Sequence, residues 1–205
     1  HVYLIRHAES VANLHSHIIG GRSNESPLSE TGIEQAKKLG AYLVARELLP
    51  THVYTSPAVR TLQTANISLA TAGINLTPYV DDNLQELSQG EWTGLERSDV
   101  YTDETLETIY AQGKDFKAPG GESMNEVGAR MHGALTHAVE QHVHEYSESP
   151  VILVYTHGLA IRCFASFVHN WSHKKTFATK TPNASITYFS HSDSAWNLEY
   201  LGQQT

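Results

Sequence analysis

Apolar and polar positions along this chain switch repeatedly between a two-residue and a 3.6-residue period. Val2–Arg6 is a short apolar run of the kind that forms a buried strand. A turn-rich stretch over residues 20–27 follows, and Thr31-Gly-Ile-Glu34 then has the spacing of a capping box. It opens a helix predicted to reach residue 48, with Ile33, Ala36, Leu39, Gly40 and Leu43 on one face and Pro50 as its stop. Residues 52–55 are a second strand. Pro57 suits the first turn of a helix running to residue 70, and residues 76–80 are a third strand. The rhythm breaks over residues 81–121, which are polar or acidic, with a weak helix over 98–111 and a Pro119-Gly120-Gly121 turn. This stretch reads as an excursion over one end of the sheet. Ser123-Met-Asn-Glu126 is a second capping box, opening a long helix to residue 146. The most apolar strand, 151–155, precedes a helix over 158–168 and two late strands, 184–190 and 196–201. Strands alternating with helices predict a single α/β domain over residues 1–205, a three-layer sandwich around a mostly parallel central sheet. In such sheets ligands bind beyond the carboxyl ends of the strands. Two of those ends carry a histidine, at Arg6-His7 and at Thr156-His157-Gly158.

Composition narrows the class. With 205 residues, 40% hydrophobic and 18% charged, the chain is globular, and its longest apolar run, 151–155, is too short to cross a membrane. A net charge of −8 without any basic run argues against nucleic-acid partners. Thirteen histidines make that charge sensitive to pH: protonating all of them would carry it from −8 to +5. Cys163 is the lone cysteine, so an internal disulfide and a cysteine-based zinc site are both excluded, and it reads as a buried core thiol. No signal peptide is legible before the first strand, and His1 in place of Met is compatible with removal of something upstream. Asn24, Asn66, Asn75, Asn170 and Asn183 open N-x-S/T patterns, more than the Ser and Thr frequency predicts, which keeps a secreted reading beside the preferred cytoplasmic one.

Candidate chemistry gathers at four places. Arg6 precedes His7, and Asn13 follows within one turn of a helix beginning there; the arginine fork matches phosphate oxygens. Arg60 sits in the first turn of the Pro57 helix, against the helix dipole, as an exposed residue or one paired with an anion. Glu86 is a loop carboxylate, and Gly158 after His157 would let a backbone N–H approach a ligand closely. His142, His144, His169 and His173 have metal-compatible spacings but no evident carboxylate or thiol partner, and read as solvated. His15 and His17 are placed either at the mouth of the site or in solvent, and Trp92 is either a loop anchor or a substrate wall. Arg162 is read as a surface cation or a supporting group.

Together these elements resemble the histidine phosphatases, the superfamily that also contains the cofactor-dependent phosphoglycerate mutases, over nearly the whole chain. The R-H-G-E-[ST] signature appears as Arg6-His7-Ala8-Glu9-Ser10, with Ala8 as its one departure. S-x-x-x-R-[TA]-x-x-T-A spans residues 56–65, L-x-E-x-x-x-G-x-W-x-G spans 84–94, and T-H-G is Thr156-His157-Gly158. The resemblance implies His7 as the nucleophile, forming a phosphohistidine. It implies Arg6, Arg60 and His157 as holders of the phosphoryl oxygens, with Asn13 and Gly158 at the phosphate, and Glu86 as general acid and then base. Two arginines and one protonated histidine could supply the positive charge that phosphoryl transfer needs, with no metal and no cofactor. A carboxylic acid donor favours turnover at acidic to neutral pH. The expected partner is a small-molecule phosphate ester, sugar-like rather than polyphosphate; a homodimer through a sheet edge or the late helices is one option for assembly. A phosphatase is favoured over a mutase because residues 95–121 hold Arg97, Lys114 and Lys117 but no Arg-Arg pair and no insertion. A silent phosphate-binding protein is the third reading, disfavoured because every expected catalytic residue is present.

Overall fold

The computed structural model describes residues 1–142 and 149–205. Its elements run β1 (Val2–Arg6), α1 (Val11–Leu14), α2 (Glu30–Ala45), β2 (His52–Thr55), α3 (Val59–Ala72), β3 (Tyr79–Val80), α4 (Arg97–Val100), α5 (Asp103–Gln112), α6 (Met124–His142), β4 (Ile152–Thr156), α7 (Gly158–His169), α8 (His173–Ala178), β5 (Ile186–Ser192) and β6 (Ala195–Gln203). The strands form one sheet in the order β3-β2-β4-β1-β5-β6. The first four in that order are parallel; β5 runs antiparallel to both β1 and β6. The fold is thus α/β with a six-stranded, mostly parallel sheet.

Side-chain alternation divides the core between the two faces. Ile152 and Val154 of β4, with Val2 and Leu4 of β1, pack against Met131 and Leu135 of α6 and Ile161 and Phe164 of α7. Leu153 and Tyr155, with Ile5 and Val53, pack against Leu39 and Leu43 of α2 and Leu69 of α3. Strand β4 is buried at all five positions because it is covered on both faces and paired on both edges, which is why it is the most apolar segment of the chain. Cys163 lies inside the α6–α7 face, where burial pushes its thiol pKa up, as befits an inert core residue.

Several boundaries differ from the pattern's expectation. Helix α2 is capped by Ser29, whose hydroxyl accepts from Gly32 N, rather than by Thr31, and Gly32 takes the buried place assigned to Ile33, which is 38% exposed. The reason is steric: a Cβ on Gly32 would stand 1.9 Å from Glu9 O, so this turn of α2 presses directly on backbone beyond β1. Gly32→Ala is therefore expected to destabilise the fold by about 2 kcal/mol or more, despite alanine's better helix propensity; urea unfolding showing equal or greater stability would contradict this contact. Pro57 lies just before the N-cap residue, Ala58, and not in the first turn of α3. The helix expected over 98–111 is two helices, broken at Tyr101-Thr102, where Thr102 caps α5 by accepting from Thr105 N. The third strand is only two residues long and the final pair is shifted by one or two residues. The second capping box is present, with Ser123 and Glu126 bonded reciprocally. The end of that helix beyond residue 142, and His144, lie outside the described residues. His142 is not solvated: it is buried, stacked on His52 at 3.4 Å and hydrogen-bonded to the Tyr54 hydroxyl at 2.8 Å. Among the described residues no helix is long and apolar enough to cross a membrane.

Candidate active site

Register places the candidate groups side by side. Arg6 pairs with Thr156 across β1 and β4, and Thr55 pairs with Tyr155 across β2 and β4. The pairing continues one residue further on each side, through His7 N to Thr156 O at 2.9 Å and Ser56 N to Tyr155 O at 2.9 Å. Three strands therefore release His7, His157 and Ser56 at the same carboxyl edge. Helix α3 starts just beyond β2 and carries Arg60 back over this edge.

The hydrogen bonds fix the two imidazoles. His7 Nδ1 lies 2.7 Å from Ala8 O, an acceptor only, so Nδ1 carries the proton. Nε2 then holds the lone pair, and it accepts from Arg60 Nε at 3.2 Å. His157 is fixed in the opposite sense. Its Nδ1 accepts from Arg60 Nη2 at 3.0 Å, leaving Nε2–H to donate to Ser56 Oγ at 2.9 Å. The remaining Arg60 fork donates to Ser23 O at 2.7 Å and Arg22 O at 2.8 Å. Arg60 is thus neither exposed nor paired with a carboxylate; among the described residues, carbonyls and imidazoles take four of its five N–H groups and leave one at Nη1, and the residue is only 3% exposed. Arg6 Nη1 donates to Thr181 O at 2.7 Å, while its Nε is buried with no hydrogen-bond partner among the described residues. Gly158 makes room for this arrangement, because a Cβ there would stand 3.1 Å from Arg6 Cδ and Nε.

Glu86 serves as the cap of a neighbouring helix. Its carboxylate accepts from Leu159 N at 3.1 Å, Ala160 N at 3.0 Å and its own neighbour Leu87 N at 2.9 Å. The Leu159 and Ala160 N–H groups belong to the first turn of α7, whose N-cap residue His157 gives no side-chain cap. Asn13 Oδ1 accepts from Ser10 N and from Asn183 Nδ2, and Asn183 Nδ2 also donates to His7 O at 3.1 Å. Beneath them, Glu122 pairs with Arg130 at 2.9 Å and Arg22 at 3.3 Å and accepts from Ser88 N; Arg130 also donates to Glu86 O. That network ties the loop holding Arg60 to the loop holding Glu86.

Arg6, His7, Asn13, Arg60 and Glu86 all line one cavity of about 320 Å³, together with His15, Arg97 and Arg162. His17 is not among its lining residues. His157 is wholly buried and meets the cavity through Arg60 and through its edge-on contact with His7, so its expected direct hold on an anion is not made in this arrangement, and Gly158 acts through Arg6 and Arg162. The expected protonated histidine is also corrected. Burial first, then the charges of Arg60 and Arg6, hold the His7 pKa well below 6.5, and burial, Arg60 and His7 do the same to His157. Among the described residues no cluster of three or more His, Cys, Asp or Glu has a metal-binding arrangement. Sequence reading missed Asn183, Glu122 and Arg130. Asn183 was singled out as a glycosylation pattern, whereas its amide is directed at His7 and Asn13; no local signal marks the other two.

Neutral buried rings set the sign of the acid response. Both histidines bind a proton less readily folded than unfolded, so the unfolded chain gains protons as pH falls below 6.5. Their stability contribution is complete above pH 6.5 and is lost below it, by up to about 1.4 kcal/mol per pH unit for each ring. Thermal unfolding followed from pH 7.5 down to 5.5 should show a falling Tm, with a shallower fall in His157→Gln. A Tm independent of pH would contradict neutral buried imidazoles.

With this geometry in view, three likenesses and one family match bear on the chain. It is 30% identical, over 200 residues covering 95% of this chain and 86% of the relative, to a probable phosphoglycerate mutase GpmB of Salmonella paratyphi C. The structure of Bacillus stearothermophilus YhfR superposes with a TM-score of 0.83 at 26% identity, covering 100% of this chain and 97% of that one. A mycobacterial glucosyl-3-phosphoglycerate phosphatase superposes with a TM-score of 0.80 at 22% identity, covering 100% and 99%. The model of the histidine phosphatase superfamily, branch 1, matches residues 2–204, so the fold, the ordered sequence elements and the shared strand edge converge: the chain belongs to that superfamily.

Proposed function

We propose that this protein is a phosphomonoesterase that works through a phosphohistidine on His7 and acts on small-molecule phosphate esters. The observation that carries the reading is the state of His7: a neutral ring, protonated at Nδ1, with its lone pair at Nε2 beside two guanidinium groups and sharing a cavity with Glu86. Nε2 attacks phosphorus, and the P–O bond to the leaving alcohol breaks. Glu86 gives that oxygen its proton and later removes one from the water that cleaves the P–N bond. Arg6 and Arg60 hold the equatorial oxygens, where charge spreads in the transition state, with Asn13 beside them. His157 orients Arg60. Glu86 must turn one oxygen from the α7 N–H groups toward the leaving group, while the other keeps the cap.

Both names among the relatives inform the choice. A mutase reading is favoured by the 30% identity to the probable phosphoglycerate mutase. The phosphatase reading is favoured by the absence of an Arg-Arg pair from residues 95–121. The deciding experiment is phosphate release from a panel of monoesters including 3-phosphoglycerate, in excess EDTA, across about pH 5–8. Release that survives EDTA is expected. Interconversion of 2- and 3-phosphoglycerate faster than phosphate release would make the chain a mutase, and loss of all activity in EDTA would overturn the arginine-based mechanism.

A further inference from the structure

The cavity does not end at the groups that grip the phosphate. Leu87, Gln89, Arg97, Leu159 and Arg162 line both it and an adjoining hollow of about 200 Å³. Aromatic rings wall that hollow: Trp92 stands edge-on to Tyr101 at 5.9 Å and lies 5.5 Å from Phe116. It opens in turn into a space of about 770 Å³ between α5 and α8, with Tyr101, His173 and Phe177 common to both. His173 meets Phe177 edge-on at 4.8 Å, and Phe177 is 51% exposed. The result is a trough leading from His7 to a group of partly exposed rings.

Its charges are equally particular. Glu122, the carboxylate in the hollow's wall, is already paired with Arg130 and Arg22. Two cations stand at the junction with the phosphate cavity. The Arg97 guanidinium lies over the Tyr101 ring, 5.6 Å from its centroid. Arg162 is braced across the gap by Gly158 O at 3.1 Å and Phe177 O at 3.2 Å. A planar apolar group entering here would bury itself against aromatic faces and meet a guanidinium plane at its near edge. A sugar-like alcohol, the class expected from Tyr101, Tyr110 and Phe116 together with the acidic residues of 95–121, would leave those faces without an apolar partner, and Asp99, Asp103, Glu104 and Glu107 are not among the trough's lining residues.

We propose that this trough is a leaving-group subsite, and that the preferred substrates are phosphomonoesters whose alcohol carries an aromatic ring. The ring rests among Trp92, Tyr101 and Phe177, with Arg97 stacked at its edge. The proposal rests on the phosphatase reading. It is tested by kcat/KM for 2-phenylethyl phosphate against ethyl phosphate, two esters whose alcohols are alike as leaving groups. The expected ratio is about tenfold or more in favour of the phenylethyl ester. In Phe177→Ala, a change at a half-exposed position that leaves the core alone, and in Tyr101→Ala, the ratio falls toward one; Phe177→Trp retains it. Equal kcat/KM for the two esters, or a preference untouched by both alanine variants, would overturn the subsite while leaving the phosphatase reading in place. Phosphate release from neither ester nor any member of the monoester panel would overturn both.

Discussion

His7→Ala is expected to lower phosphate release by about 10⁴-fold or more, because removal of a covalent nucleophile takes away a pathway rather than a share of one. The wild-type chain quenched in alkali during turnover of a ³²P-labelled ester should carry label on His7, acid-labile as a phosphoramidate is, and the variant should carry none. The loss should be chemical and not structural. His7 makes its Nδ1 bond to the carbonyl of the next residue and its Nε2 bond to Arg60, three of whose other four N–H groups are held by Ser23 O, Arg22 O and His157. Far-UV circular dichroism should therefore be unchanged. Undiminished phosphate release, or label on the variant, would place the nucleophile elsewhere.

The second large effect concerns Arg60. Arg60→Lys preserves the charge and is expected to cost about 10²–10³-fold in kcat/KM, the size of effect seen on removing a preorganised transition-state donor, about 3–4 kcal/mol. The reason is geometric. One planar fork reaches the carbonyls of Arg22 and Ser23, His7 Nε2 and His157 Nδ1 at once, in a space where Arg60 is almost fully buried. An ammonium group at the end of a flexible stem offers three donors from one point and cannot span these acceptors. The loss should appear mainly in kcat, because the fork positions the nucleophile as well as the phosphate. A Lys variant retaining wild-type kcat would show that charge alone matters there.

Much of this site was legible before any coordinates. The two histidines followed from short apolar strands ending in His7 and His157, since β1 and β4 advertise their burial through composition. Arg60 was legible as an arginine placed against its helix dipole, although its actual partners, two carbonyls and two imidazoles, belong to distant loops and strands. What could not be read is what long-range packing creates. Gly32 takes the inner position expected of Ile33 because Glu9 O presses on it, and periodicity carries no information about that contact. Asn183 reaches His7 from 176 residues away in sequence. Glu122 and Arg130 look like ordinary charges on a turn and a helix until the fold sets them under the loops of Arg22 and Glu86. The neutral state of the buried His157 ring is not legible for the same reason: a sequence lists its neighbours along the chain, not the depth at which the ring is buried.

The sheet order also has a consequence for the history of each molecule. Strand β1 lies between β4 and β5, and the amino group of His1 is held by Pro150 O at 2.9 Å. Every hydrogen-bonding neighbour of the strand that carries the nucleophile is therefore supplied by the final third of the chain. A ribosome that has delivered residues 1–142 has made His7, Arg60 and Glu86, yet β1 still has neither β4 nor β5 to pair with. During that interval the β1 segment is an apolar strand with free edges, the form in which chains pair with the wrong partner. Catalytic competence should arrive only once β5 has been made, and truncation before Ile186 should remove the seat of the nucleophile rather than trim a tail.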